Sequence, residues 1–392
     1  MMEQKHILLL LVALLAMASC NEKSGADAVP TPEEIEADLS LGNVARILSA
    51  LPLGQEHLEE VYDAVNSSWG NGYDEEYMMS DLFQSPGAGV GSGGAATKAG
   101  GYACPLRDLF EDYFDSMPMT KAGASAKAYI EALSSSDMQI YWPYSDSWDG
   151  EQYPIVTFDP GYGAESNYGY EVKVDEDGVH VVDSVFVDEA VAMQRPVWVI
   201  NRNDDSAFSP AELISRSPAA QTKADEGTAG KILKIKSFTM LHNYDSWFGG
   251  GSEFFIKCGA VDGFKASKDE DLKNYSPTVT DFEVNVRRKE IKIPHELDCI
   301  LLTNFTPQME TLAFLVTEDD GGTTTSWDAS AMVKYNSKQY GFEIKLPYKD
   351  KDDIVWRGQL SRSFFFPEEV GKKPQKTMAG RFGDVEITFE LE

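Results

Sequence analysis

The chain has 392 residues, with 34 Lys and Arg against 64 Asp and Glu, a formal net charge of −30. Charged residues at 25% and hydrophobic ones at 42% are ordinary for a folded chain and exclude wholesale disorder, collagen-like repeats and a polytopic membrane protein. The charge excludes nucleic acid, since phosphate binding needs a basic face, and opposes an electrostatic hold on anionic lipid, but it suits cation binding or plain solubility. At about 100–200 residues per domain the length predicts two or three domains.

Residues 1–20 read MMEQKHILLLLVALLAMASC. Lys5 gives a short basic start, and an apolar run follows from Ile7 to about Ala16. That run is too short for a stable bilayer anchor, which needs roughly 20 residues, and it reads as a signal-peptide core. The stretch Leu15-Ala16-Met17-Ala18-Ser19-Cys20 resembles a bacterial lipobox, with Met17 where Leu is usual. The resemblance implies a lipoprotein signal over 1–19, palmitate-type acylation at Cys20, a tether over 20–32 and attachment to the membrane through lipid. The competing reading is an ordinary secretory signal with an incidental cysteine. Loss of 1–19 removes Glu3 and Lys5, so the mature charge stays at −30. Cys104, Cys258 and Cys299 remain beside Cys20, without metal-type spacing. A Cys258–Cys299 disulfide and two separate buried thiols are both open.

From 33 the chain reads as helical. Glu33, Glu34 and Glu36 load a helix start, and Val44, Ile47, Leu48 and Leu51, then Leu58, Val61, Tyr62 and Val65, fall at helical spacing. After Gly70–Gly72, the string Tyr73-Asp74-Glu75-Glu76-Tyr77 is expected to open another short helix. Residues 85–101 are a Gly-rich loop, followed by a helix over Pro105 to Ser116, completing a helical region over 33–125. A mixed α/β region over 126–202 starts with a helix at Ala126 to Ser134. Strands follow at Met138 to Trp142, Tyr153 to Phe158, Tyr168 to Val174, His180 to Val187 and Val197 to Ile200. Residues 203–230 read as a linker. Over 231–392 nine strand-like runs with turn signals between them, starting at Lys231 to Met240 and ending at Asp384 to Glu392, predict an antiparallel β-sandwich. The fold class expected is therefore α+β and multidomain. The string Thr-Lys-Ala recurs at 97, 120 and 222 in low-complexity stretches, and we have no physical account of it.

Two groups of segments resemble known proteins. Tyr141-Trp142-Pro143-Tyr144-Ser145-Asp146-Ser147-Trp148, Arg195-Pro196-Val197-Trp198-Val199-Ile200-Asn201, Val61-Tyr62-Asp63-Ala64-Val65 and Gly72-Tyr73-Asp74-Glu75-Glu76-Tyr77 resemble uncharacterised lipoproteins of the Bacteroides–Parabacteroides type. This implies a cell-envelope address, at the outer membrane on its periplasmic or extracellular side, and no assigned activity. The acidic stretches Asp245 to Glu253 and Glu318 to Gly322 resemble the end loops of calcium-dependent sandwich domains, although neither carries the usual Asp-x-Asp pair.

Calcium takes six to eight oxygen ligands, which Asp245, Glu253, Glu318, Asp319, Asp320 and Asp328 could supply if their loops share one end. Asp350, Asp352 and Asp353 form a further acidic turn. The bland alternative is a set of solvated turns. Tyr141, Trp142, Tyr144 and Trp148, beside Asp146 and Asp149, suit sugar stacking or a packed aromatic corner. Catalytic motifs are missing: no His pair forms a zinc motif, no phosphate or dinucleotide loop occurs, and Val90 replaces the first glycine of a GxSxG elbow. The expected function is a lipid-anchored, non-enzymatic binding or adhesion module with a glycan or protein ligand and calcium as its candidate cofactor. A secreted hydrolase acting on peptides or glycans, or a structural subunit of an envelope complex, are the alternatives.

Overall fold

The computed structural model describes residues 35, 38–70, 73–83, 105–116, 126–174, 180–203 and 230–392. The signal segment, Cys20, the tether, the Gly-rich loop, Cys104, the Thr-Lys-Ala strings and nearly all of the linker lie outside the described residues.

The first helix, α1 (Leu41–Ala50), starts where Ser40 Oγ accepts from Asn43 N, and it buries Val44, Ala45, Ile47 and Leu48. The second, α2 (Gln55–Gly70), buries Leu58, Val61, Ala64 and Val65. Its Glu60 is only 1% exposed. The Glu60 carboxylate accepts from Tyr77 OH and from Leu106 N, the latter in the first turn of α4 (Pro105–Ser116), so one buried acid joins two helices and a strand.

The expected helix at Tyr73–Tyr77 is a strand instead. β1 (Glu76–Met78) pairs with β2 (Met138–Tyr141), and only Met79–Leu82 (α3) is helical. Three backbone pairings to a central strand outweigh the weak helical preference of so short a run. Helix α5 (Ala126–Ser134) forms as its spacing predicts.

A six-stranded sheet follows in the order β1-β2-β6-β3-β4-β5, with β3 (Ile155–Phe158), β4 (Ser166–Val174), β5 (His180–Asp188) and β6 (Val197–Arg202). Only the β3–β6 pairing is parallel. The run Val197-Trp198-Val199-Ile200 is apolar at every position because both faces are covered. Trp198 and Ile200 join the core beneath the helices, and Val197 and Val199 join a second core on the opposite face. The core beneath the helices draws on Ile35 to Leu133 as well as on the strands, so it runs across the 125/126 boundary.

From 231 the chain is nearly all strand. A four-stranded antiparallel sheet has the order β10-β7-β16-β15, with β7 (Lys231–Met240), β10 (His295–Phe305), β15 (Thr377–Phe382) and β16 (Val385–Leu391). A second sheet has the order β13-β12-β11-β8-β9, with β14 (Asp353–Ser361) also paired to β11 (Met309–Glu318). Its other members are β8 (Ser252–Ala260), β9 (Thr278–Val286), β12 (Thr324–Tyr335) and β13 (Lys338–Lys349). Inward residues of both sheets, such as Phe238, Ile387 and Phe389 from one and Phe254, Phe282 and Phe314 from the other, form one contiguous core. The described chain is thus α+β, built from helices and several antiparallel sheets.

β14 stops at Ser361, and the chain turns into a short helix, Arg362–Phe365. Cys258 on β8 and Cys299 on β10 sit in different sheets as separate thiols. Burial first, then nearby Asp262, pushes the Cys258 thiol up to about 12.

Candidate functional site

The connection between β7 and β8 inserts into the amino-terminal half. Trp247 and Phe248 are fully buried there, against Tyr141, Ile155, Val197 and Val199 of the six-stranded sheet. Burying two such rings removes roughly 150–250 Å² each from water, worth about 3 kcal/mol apiece. Polar bonds fix the insertion. Trp247 Nε1 donates to Glu165 O at 3.0 Å, and Asn201 Nδ2 donates to Phe248 O at 3.0 Å and Gly249 O at 2.9 Å. Gly251 N donates to Asp74 Oδ2 at 2.9 Å. Gly250 needs to be glycine: its φ is +138°, and a Cβ there would lie 2.4 Å from Asp74 Oδ2.

This insertion brings Asp245 to Glu253, at the start of β8, and to Glu318, at the end of β11. One oxygen from each carboxyl lies within 4.8 Å of the others. Glu318 is paired in register with Phe254, so it ends a row of inward positions, and it is fully buried. Glu253 is 6% exposed. Burial is the main cause that pushes the Asp245 carboxyl above the usual range, with Asp320 and Asp74 adding repulsion. A hydrogen bond with Glu318 and the charge of Arg288 pull it back down, and Arg288 Nη1 also donates to the backbone oxygen of Asp245 at 2.7 Å, which holds the loop. The donors are all oxygens, which suits a hard cation. Oxygens at 2.3–2.6 Å from calcium lie at most about 5 Å apart across the ion, a span that the three carboxyls match.

The other acids expected here behave differently. Asp319 Oδ1 and Oδ2 accept from Lys349 Nζ at 2.8 and 2.7 Å, and Oδ1 also accepts from Gly321 N. Asp320 stands beside Asp353 and Asp319; burial first, then those two charges, raises its carboxyl. Asp328 does not join the cluster: it lies exposed on β12, opposite Lys345 of β13. The strand alternation that places it there points it away from the end loops. Asp350 Oδ1 and Asp352 Oδ2 accept from the backbone at Thr323 and Lys349, so the acidic turn around Asp350 closes against the one at Glu318.

The aromatic segment is a packed corner. Tyr141 and Trp142 are each 1% exposed, which removes both as ligand contacts. Trp148 packs at a tilt against Tyr62 and edge-on against Trp142, with Nε1 donating to Gln152 O. Tyr144 OH donates to Glu189 Oε1 at 2.7 Å.

Sequence reasoning missed three consecutive cations at Arg287, Arg288 and Lys289, between β9 and β10. Three basic residues in a row stand out in a chain at −30, and that was the available signal. Arg287 lies over the Trp69 ring at 3.9 Å and 3.6 Å from Glu75. Arg288 Nε donates to Glu189 Oε1 at 2.9 Å. Lys289 reaches both Glu75 and Asp146. Together they clamp the carboxy-terminal sheets onto the amino-terminal half. Burial first pushes Glu189 up, but the bonds from Arg288 and Tyr144 outweigh it and hold its carboxyl below the usual value. A cavity of about 570 Å³ opens along this clamp, lined by Tyr144, Asp146, Glu189, Asn243, Arg288 and Lys289 among others. Its charges largely satisfy one another.

Comparison with known proteins found no family model that matches the chain and no matching curated protein.

Proposed function

We propose that the protein is a lipid-tethered, cell-envelope binding or adhesion module, anchored through Cys20, whose Asp245–Glu253–Glu318 cluster holds calcium. The two carboxy-terminal sheets are read as a β-sandwich over 231–392, since their inward residues share one core. The amino-terminal signal supports the envelope address, and the Bacteroides-type resemblance accords with it. The observation that carries the cation reading is the convergence of three carboxyls from the β7–β8 connection, β8 and β11 within 4.8 Å. Bound there, calcium would tie the inserted loop to the ends of two strands and stiffen the seam between the halves.

Calorimetric titration of the mature chain with calcium tests this. Heat of binding and a raised melting temperature are expected, and both should vanish in Glu318→Gln. A chain that shows neither effect at millimolar calcium has no calcium site here.

A further inference from the structure

We infer that the face carrying Tyr168 and Phe186, at the open end of the β4–β5 hairpin, is a docking platform for an uncharged glycan. The inference rests on the reading of the chain as a binding module, though not on the cation cluster.

Tyr168 and Phe186 are cross-strand partners on β4 and β5, 64% and 54% exposed, with ring centroids 6.2 Å apart and planes at 84°. They share the face of Tyr170, two residues on, which packs against the core beneath the helices. Helix α1 packs on β3, β4, β5 and β6, yet the aromatic pair stays exposed. Val182 extends the same face at 41% exposure.

Six residues before Tyr168, Tyr162 stands fully in solvent. It occupies the left-handed region at φ +58°, between Gly161 at +77° and Gly163 at +64°. A bulky residue in that conformation is a true outlier. The turn is fixed by Gly161 N donating to Asp159 Oδ1 at 2.7 Å, and Asn167 Nδ2 donates to Phe158 O at 2.9 Å just before Tyr168.

Charge and area choose the ligand. No Lys or Arg occurs from 128 to 172 or from 174 to 194, while Asp159, Glu165 and Asp188 do. Such a surface repels sulfated or uronic polymers and offers acceptors to hydroxyl groups. The two paired rings expose on the order of 250 Å², and the fully exposed Tyr162 on the adjoining turn about 200 Å² more, against about 800 Å² per partner in a stable protein interface. That area suits a few sugar rings, whose C–H faces stack on aromatic faces while their hydroxyls meet the acidic rim.

Native affinity electrophoresis of the mature chain tests the platform. The gels carry galactomannan, xyloglucan, glucomannan, mixed-linkage β-glucan or α-mannan, with dextran sulfate as the anionic probe, each in calcium and in EGTA. Retardation by at least one neutral polysaccharide is expected in both buffers. The double variant Tyr168→Ala/Phe186→Ala should weaken it at least tenfold, and Tyr162→Ala several-fold, with unchanged melting temperatures. Four results overturn the inference: no retardation by any neutral probe, retardation by dextran sulfate alone, retardation only in calcium, or retardation that survives the double variant. A dimer in sedimentation that the double variant dissociates assigns the face to a second copy and overturns it as well. Retardation that survives the double variant leaves a binding module with its site elsewhere, and the calcium titration stands or falls separately.

Discussion

Glu75 is 3% exposed, and its carboxyl is pushed up to about 7 by burial first, then by Asp74, with Lys289 and Arg287 pulling it back. Its ordinary value is 4.5. The folded chain therefore binds more protons than the unfolded one between those two pH values, and this group's contribution to stability falls as pH rises through that window. The size is on the order of 3 kcal/mol. Glu75→Gln removes the titration, so the stability of the wild type relative to this variant should fall between pH 5 and pH 8 in urea melts. A difference that stays constant over that range would refute the assignment, whatever the absolute cost of leaving Arg287 and Lys289 with fewer partners. At Tyr162 the backbone itself is strained. Tyr162→Gly should cost no stability and should add up to about 1 kcal/mol, since glycine accepts φ > 0 freely but gains unfolded-state entropy. A clear loss in the same melts would mean that the tyrosine ring has a packing role.

The β7–β8 connection is the element that joins the halves. Trp247→Ala should cost about 3–5 kcal/mol, as other large-to-small changes of buried aromatics do, read as a lower urea midpoint. A cost under about 1 kcal/mol would mean that the insertion is not a true core. Elements with strong periodicity were legible in the sequence: α1, α2, α4, α5 and most carboxy-terminal strands fall where spacing puts them. What failed was tertiary. β1 is too short to show a period and exists because β2 pairs with it. β15 carries Met378, Gly380 and Phe382 on one parity, too weak an alternation to stand out. Of the candidate site, Asp245, Glu253 and Glu318 came together as acidic loops at one end should, while Asp328 followed strand parity to the surface. Tyr141 and Trp142 show why composition cannot separate a sugar platform from a core: the same rings serve both, and only burial decides. Among the described residues the exposed rings are Tyr162, on the turn before β4, and Tyr168 and Phe186, on a hairpin whose alternation looked ordinary.

At the scale of the whole molecule, the charge of −30 is uneven: residues 1–230 carry 38 acids against 12 Lys and Arg, residues 231–392 carry 26 against 22, and the carboxy-terminal part places three consecutive cations at its seam with the acidic amino-terminal half. At a net charge of −30 the protein has little electrostatic hold on anionic lipid. On the proposed reading, residence at a membrane depends on the amino terminus. Cys20 lies 21 residues before Leu41, where α1 begins, so its chemistry can change without touching the described fold. Cells fed labelled palmitate should incorporate label into the wild-type protein, which should partition with the membrane fraction and enter the detergent phase. Cys20→Ser should lose the label and at least nine-tenths of the membrane-bound fraction, because without acyl chains nothing offsets the charge. The melting temperature of the two mature chains should agree within error. Label retained by Cys20→Ser, or absent from the wild type, would leave an ordinary secretory signal as the right reading. On the proposed reading, a platform on a free secreted chain would bind glycan one site at a time, whereas many tethered copies would bind together, so the same labelling experiment decides between a carrier and an adhesin.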